Sequence, residues 1–206
     1  MTRDAKLLSR AFFNRDPRLV ARELLGKLIV RREGRKRLAG RIVEVEAYLG
    51  AGDLAAHAAA GHTSRNAVLW GPPGHAYVYF IYGVHYCLNI SCLPAGEAGC
   101  VLIRALEPVS GLREMAEARD LADLDLTLVR DLRKLASGPG KLCEALDITR
   151  PRDNDKDMLS PRSDLQVMSD GFRVPEVAVT QRIGITKSAE LPLRYVIAGN
   201  MFLSKK

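Results

Sequence analysis

Residues 76–91 read Ala-Tyr-Val-Tyr-Phe-Ile-Tyr-Gly-Val-His-Tyr-Cys-Leu-Asn-Ile-Ser, an aromatic and β-branched run with one glycine near its centre. Such side chains suit a pleated, half-buried surface, and the lone Gly83 marks a turn. The segment is therefore predicted to be a β-hairpin with its tip near Tyr82-Gly83. Tyr77 and Tyr79 fall on one face of it, by the two-residue period of a strand. Further strands are predicted over 27–32, 41–48, 101–105, 176–183 and 193–198. In 41–48 the alternation puts Val43, Val45 and Ala47 on one face and Glu44, Glu46 and Tyr48 on the other, with Ile42 out of phase. The expected architecture is a single α+β domain over 1–206: a curved, mostly antiparallel sheet packed with helices, the 76–91 hairpin protruding.

Asp16-Pro17 gives an N-cap followed by proline in the first turn, and Gly26 a stop. Leu19, Val20, Leu24 and Leu25 form the apolar stripe of the helix between them. A second helix is expected over 110–119 and a short one from Ser137-Gly138-Pro139-Gly140-Lys141 through Leu146. That turn is not a Walker A loop, since Leu135 stands where the first glycine belongs and Leu142 where serine or threonine belongs. Residues 1–15 read as a loosely attached flexible arm, 49–75 as a long functional or mobile loop, and 149–170 as a polar surface excursion.

Lysine and arginine outnumber aspartate and glutamate by 31 to 24, for a net charge of +7. That balance points to a polyanionic partner, nucleic acid first and acidic membrane second. No apolar run reaches the roughly 18 residues of a membrane span, and the charged N-terminus lacks the pattern of a signal peptide. A cytoplasmic address follows, nucleoid-associated if the source is bacterial. Cys87, Cys92, Cys100 and Cys143 form no C-x-x-C pair and no zinc-like spacing with the histidines, so they are expected to be buried free thiols, with no metal site.

Glu44 and Glu46 lie two apart on one strand face, roughly 6.5–7 Å between Cα atoms, a spacing that suggests a glycosidase pair. Such pairs also occur on solvated strand faces, but Tyr48 beside them supplies a flat surface to hold a ring next to a carboxylate. Tyrosines on a sheet are commonly core or rim residues. Tyr77, Tyr79 and a tip Tyr82 in a basic chain instead favour base stacking and a wedge that enters the base stack.

The stretches Val43–Gly50, Ala55-Ala56-His57, Tyr77–Gly83, Cys87–Ser91, Val101–Pro108 and Ser137–Cys143 together resemble the alkyladenine (3-methyladenine) DNA glycosylase family, in order and near-constant spacing from about residue 18 to 197. The resemblance implies Glu46 as the general base that activates water. It implies His57, Arg104 and the backbone carbonyl of Ile183 as groups holding that water or the glutamate, and Tyr77 as orienting His57. Tyr48, His57 and Tyr79 would wall the flipped-base pocket, and Asn89 would disfavour guanine by crowding its 2-amino group. Tyr82 would fill the hole left in the duplex, with Arg65 and Lys141 near the DNA backbone. Val84 and His85 stand where the family often has other residues, Arg65 is one residue short of the family spacing, and 149–170 does not align.

The implied activity is hydrolysis of the N-glycosidic bond of alkylated or deaminated purines in double-stranded DNA. It needs no cofactor and no metal, since water suffices, and a monomer is expected. Two rival readings are a non-catalytic nucleic-acid-binding module and a glycoside hydrolase using Glu44 and Glu46. Steep salt dependence would separate phosphate binding from sugar binding.

Overall fold

The computed structural model describes residues 5–50 and 52–205. The strands are β1 (Lys6–Leu7), β2 (Leu28–Glu33), β3 (Lys36–Tyr48), β4 (Ala76–Ile81), β5 (His85–Cys92), β6 (Gly99–Ser110), β7 (Leu165–Ser169), β8 (Val177–Thr180) and β9 (Arg194–Ile197). They form one nine-stranded sheet in the order β1-β7-β2-β3-β6-β5-β4, with β9 on β3 and β8 outside it. Every pairing of these strands is antiparallel. The helices are α1 (Arg10–Phe13), α2 (Pro17–Leu24), α3 (Leu112–Glu117), α4 (Val129–Ala136), α5 (Pro139–Ala145) and α6 (Arg150–Asp153). The α+β expectation holds.

Strand β3 organises the sheet. Along one edge it pairs with β6; along the other it pairs first with β2 and then, at Glu44–Glu46, with β9. The register slips between Ile42 and Glu44 and again before Val45. Such an irregularity re-aims side chains locally. It explains the out-of-phase Ile42: Ile42 and Val43 are both fully buried in the core, after which Val45 and Ala47 face inward and Glu44, Glu46 and Tyr48 face the other way.

The same two-residue period divides the neighbouring strands. Ala76 and Val78 of β4, Leu88 and Ile90 of β5, and Val101, Ile103 and Ala105 of β6 face one hydrophobic core. Helices α2, α4 and α5 pack on β3, β6 and β5 respectively on that side. Each fully buried aliphatic side chain contributes about 1.5–3 kcal/mol, so the register that buries this set is strongly specified. The alternate residues are thereby forced onto the opposite face, where the cavity described below lies.

Asp16 caps α2 by accepting from the Arg18 N–H at 2.8 Å, and Gly26 follows the helix with φ 79°. Leu19, expected in the apolar stripe, is 53% exposed; Ala21 takes the inward position instead. The 1–15 arm is also corrected. Lys6 and Leu7 pair with β7 and Phe13 is fully buried, so this segment is docked from Lys6 onward. Residues 1–4 of that prediction lie outside the described residues.

Segment 149–170 is not a surface excursion. Arg31 on β2 is almost fully buried and binds Asp153 at 2.7 Å and Asp164 at 3.0 Å, while Lys156 bridges the same two aspartates. With those charges mutually engaged, Leu165, Val167 and Met168 enter the sheet between β1 and β2. Strands β3 and β6 run longer than the 41–48 and 101–105 expected of them. Helix α4 is not legible in the sequence, because its charged residues mask the inward Leu135 and Ala136.

Candidate active site

Four strands, the hairpin tip, two loops and the start of α5 enclose a cavity of about 330 Å³ on the sheet face opposite the main hydrophobic core. Strand β4 gives it Tyr77, Tyr79 and Ile81; β5 gives His85, Cys87 and Asn89; β6 gives Leu102 and Arg104; β3 gives Tyr48. These are the alternates of the core residues, so one periodicity produces both the core and the site. The loop before β4 adds His57, and the segment after β8 adds Ile183 and Gly184.

Glu46 lies directly beneath this lining, fully buried. Its Oε1 accepts from the Ile183 backbone N–H at 2.8 Å and faces Arg104 Nη1 at 3.2 Å. Its Oε2 accepts from the Tyr48 hydroxyl at 3.0 Å. Tyr48, Arg104 and Ile183 all line the cavity. Two hydrogen bonds and one ion pair thus hold the carboxylate against groups that line the cavity. Ile183 thus meets the glutamate through its N–H and not through the carbonyl named in the sequence reading.

Glu44 is occupied differently. It binds Arg104 at 3.0 Å and Arg194 at 2.9 Å and accepts from the Ser204 N–H and hydroxyl. It is fully buried and ties β3 to β9 and the C-terminal segment. Burial alone would raise its carboxyl, but Arg194 and Ser204 outweigh burial and hold it below the ordinary 4.5. The two glutamates are therefore not a symmetric glycosidase pair.

His57 opens a short 3₁₀ turn, and its Nδ1 shares a 2.8 Å hydrogen bond with the Tyr77 hydroxyl. Its ring meets Tyr79 edge-on, with centroids 4.5 Å apart. Desolvation, and then the charge of Arg65, hold the His57 imidazole below its ordinary value. Burial pushes the Tyr77 phenol up to about 12 and raises Tyr79 as well. For Tyr48, burial and then the Glu46 charge do the same. All three phenols are therefore protonated at neutral pH and can donate. Asn89, 2% exposed, donates to the Tyr77 carbonyl at 3.2 Å, which fixes its amide against the cavity wall.

Tyr82 stands at the hairpin tip, 82% exposed, with φ 54°. Arg65 is exposed on the loop beside His57, and Lys141 is exposed on the first turn of α5, next to the cavity-lining Gly140. The structure thus gathers Glu46, Arg104, Ile183 and Tyr48 at the floor and His57, Tyr77, Tyr79 and Asn89 around the walls. Tyr82 stands at the rim of the cavity, with Arg65 and Lys141 exposed on the surface near it.

The support behind Tyr48 is not legible in the sequence. Arg182 forks onto Asp53 at 2.6 and 2.8 Å, both fully buried, and its guanidinium lies 4.6 Å from the Tyr48 ring centroid. Asp53 also accepts from the N–H groups of Leu49 and Ala55, pinning the loop after β3. Nothing in the local pattern around either residue signals this long-range pair. The four cysteines are free and buried, as expected. Among the described residues no cluster of histidine, cysteine, aspartate and glutamate is placed to hold a metal, and no helix is long and apolar enough to cross a membrane.

A model of the Methylpurine-DNA glycosylase (MPG) family matches residues 11–201. The chain belongs to that family. The family is one of hydrolases of N-glycosyl bonds in DNA repair, in agreement with the resemblance seen in the sequence. A protein of Koribacter versatilis named "Putative 3-methyladenine DNA glycosylase" is 65% identical over 97% of this chain and 93% of its own length. Proteins of the same name from Burkholderia cenocepacia and Methanoculleus marisnigri are each 45% identical, covering 96% and 97% of this chain and 91% and 99% of their own lengths. This methylpurine-DNA glycosylase therefore matches its relatives along nearly its whole length.

Proposed function

We propose that this glycosylase extrudes a damaged purine from duplex DNA into the tyrosine-lined cavity and cleaves its bond to the sugar with a water activated by Glu46. The observation that carries the reading is the buried Glu46 carboxylate held by Tyr48, Arg104 and the Ile183 N–H, three residues that all line the cavity. Cleavage develops positive charge on the sugar in an oxocarbenium-like transition state. A carboxylate beneath the sugar stabilises that charge and takes the proton of the attacking water. Arg104 and the Ile183 N–H fix the carboxylate; Tyr77 orients His57 at the wall.

Tyr48 and Tyr79 would sandwich the base, favouring the cationic 3-methyladenine and 7-methylguanine through their electron-rich faces. The neutral purines hypoxanthine and ethenoadenine complete the substrate range. Asn89 would crowd the 2-amino group of guanine. Extrusion costs a few kcal/mol; Tyr82 offsets it as a wedge, with Arg65 and Lys141 on backbone phosphates. Because a single chain supplies every group invoked, the enzyme would act as a monomer, on DNA in the cytoplasm.

The test is incubation with duplexes each carrying one defined lesion, followed by alkaline cleavage at abasic sites. Strand scission at the methylated purines supports the reading, and its absence on every lesion refutes it.

A further inference from the structure

We propose that His85, clamped by Glu144, is a phosphate subsite that grips the backbone phosphate joining the extruded nucleotide to the duplex. The inference rests on the extrusion reading above. His85, Cys87 and Asn89 share the cavity face of β5, and all three line the cavity. In register, Cys87 faces Tyr79 and His85 faces Ile81, one step nearer the tip. That step is about 6.5–7 Å along a strand. If the base lies at the level of Tyr79 and the wedge Tyr82 within the duplex, the side chain between them meets what connects the two, the sugar–phosphate of the extruded nucleotide.

The site is built for an imidazole. A Cβ on Gly140 would lie 2.9 Å from His85 Cγ, so only glycine at this place in α5 lets the ring lie against the helix. His85 Nδ1 is 2.9 Å from Glu144 Oε1, and Glu144 Oε2 is held by Arg119 Nε at 3.0 Å. Arg119 is anchored in turn on the carbonyls of Lys134 and Leu135. A carboxylate on Nδ1 sets the ring so that Nε2 is the nitrogen left for a ligand. The His85 side chain is 45% exposed, open enough to receive one.

Lys141, exposed on the same face of α5, and Arg119 behind Glu144 supply positive charge beside the ring. This also accounts for the glycine in Ser137-Gly138-Pro139-Gly140-Lys141.

The test uses duplexes with one 7-methylguanine and a neutral methylphosphonate in place of the phosphate on either side of it, with wild type, His85→Gln and Glu144→Gln. The wild type is expected to bind about tenfold or more weakly when one particular phosphate is neutralised, as for loss of a charge-assisted hydrogen bond. His85→Gln should lose as much on the unmodified duplex and show no further loss with that methylphosphonate, the deficit falling on KM rather than kcat. Glu144→Gln should show a smaller loss of the same kind. Losses that multiply between variant and methylphosphonate overturn the proposal. So does wild-type binding by His85→Gln, or a fall in kcat with binding unchanged, the mark of a proton donor to the base. A wild type that releases no base from the unmodified duplex instead overturns the function itself, and this inference with it.

Discussion

Tyr48 donates its hydroxyl hydrogen to Oε2 of Glu46, 3.0 Å away and two residues upstream on the same strand face. The register that exposes this face places them side by side, so strand geometry alone creates the pair. Arg182 and Asp53 then hold the tyrosine from behind. Base stacking and carboxylate positioning thus meet in one side chain.

Tyr48→Phe keeps the ring and removes the donor. A hydrogen bond to a charged group contributes about 1.5–3 kcal/mol, so kcat should fall about 10–100-fold with KM nearly unchanged. Single-turnover and steady-state release from a 7-methylguanine duplex would separate the two; a change confined to KM contradicts the positioning role.

Glu44→Gln should act on stability. Breaking a buried, multiply bonded ion pair costs about 3–5 kcal/mol, and urea melts would show it. The sign with pH follows from its depressed carboxyl: the stabilisation is present above the ordinary 4.5 and is lost as pH falls through the lower folded value. The difference between wild type and variant should therefore shrink on acidification below that value. A difference that grows contradicts the assignment.

Arg65→Gln removes a cation that opposes protonation of His57. The imidazole should then titrate higher, closer to its ordinary range, while desolvation keeps it below. Because the folded value is lowered, His57 favours the native state above the unfolded value and ceases to do so as pH falls through the folded one. Histidine ring resonances followed by NMR against pH would show the upward movement, and an unmoved titration would mean that the Arg65 charge is not felt there.

Tyr82 occupies the left-handed region, a conformation costing about 1–2 kcal/mol for an ordinary L-residue. Tyr82→Asn, a residue that tolerates this geometry, should leave the melting temperature unchanged or slightly higher. Release from duplex DNA should fall much more than release from a single strand, where no hole needs filling. Equal losses on both substrates would remove the wedge from the account.

The hairpin, its tip and the faces of β3 were legible because the two-residue period is written locally in the sequence. Glu46, Tyr48, Tyr77 and Tyr79 all followed from that period together with the family pattern. What escaped depends on distant partners. Arg31 draws Asp153 and Asp164 inward, so a charged segment reads as surface though its strand lies within the sheet. Arg182 and Asp53 are separated by a long stretch of chain, and neither carries a local sign of the other. His85 gains meaning only when Gly140 and Glu144 of α5 are brought against it.

The most direct test of the central claim is single-turnover release of 7-methylguanine from duplex DNA by Glu46→Gln beside wild type, with folding checked by thermal melting. Glutamine keeps the shape but cannot take the proton of a water, and removing a positioned general base costs about 10²–10⁴-fold. A loss of that order is expected in a folded protein that still binds the lesion. A variant that releases the base at the wild-type rate would contradict the central claim.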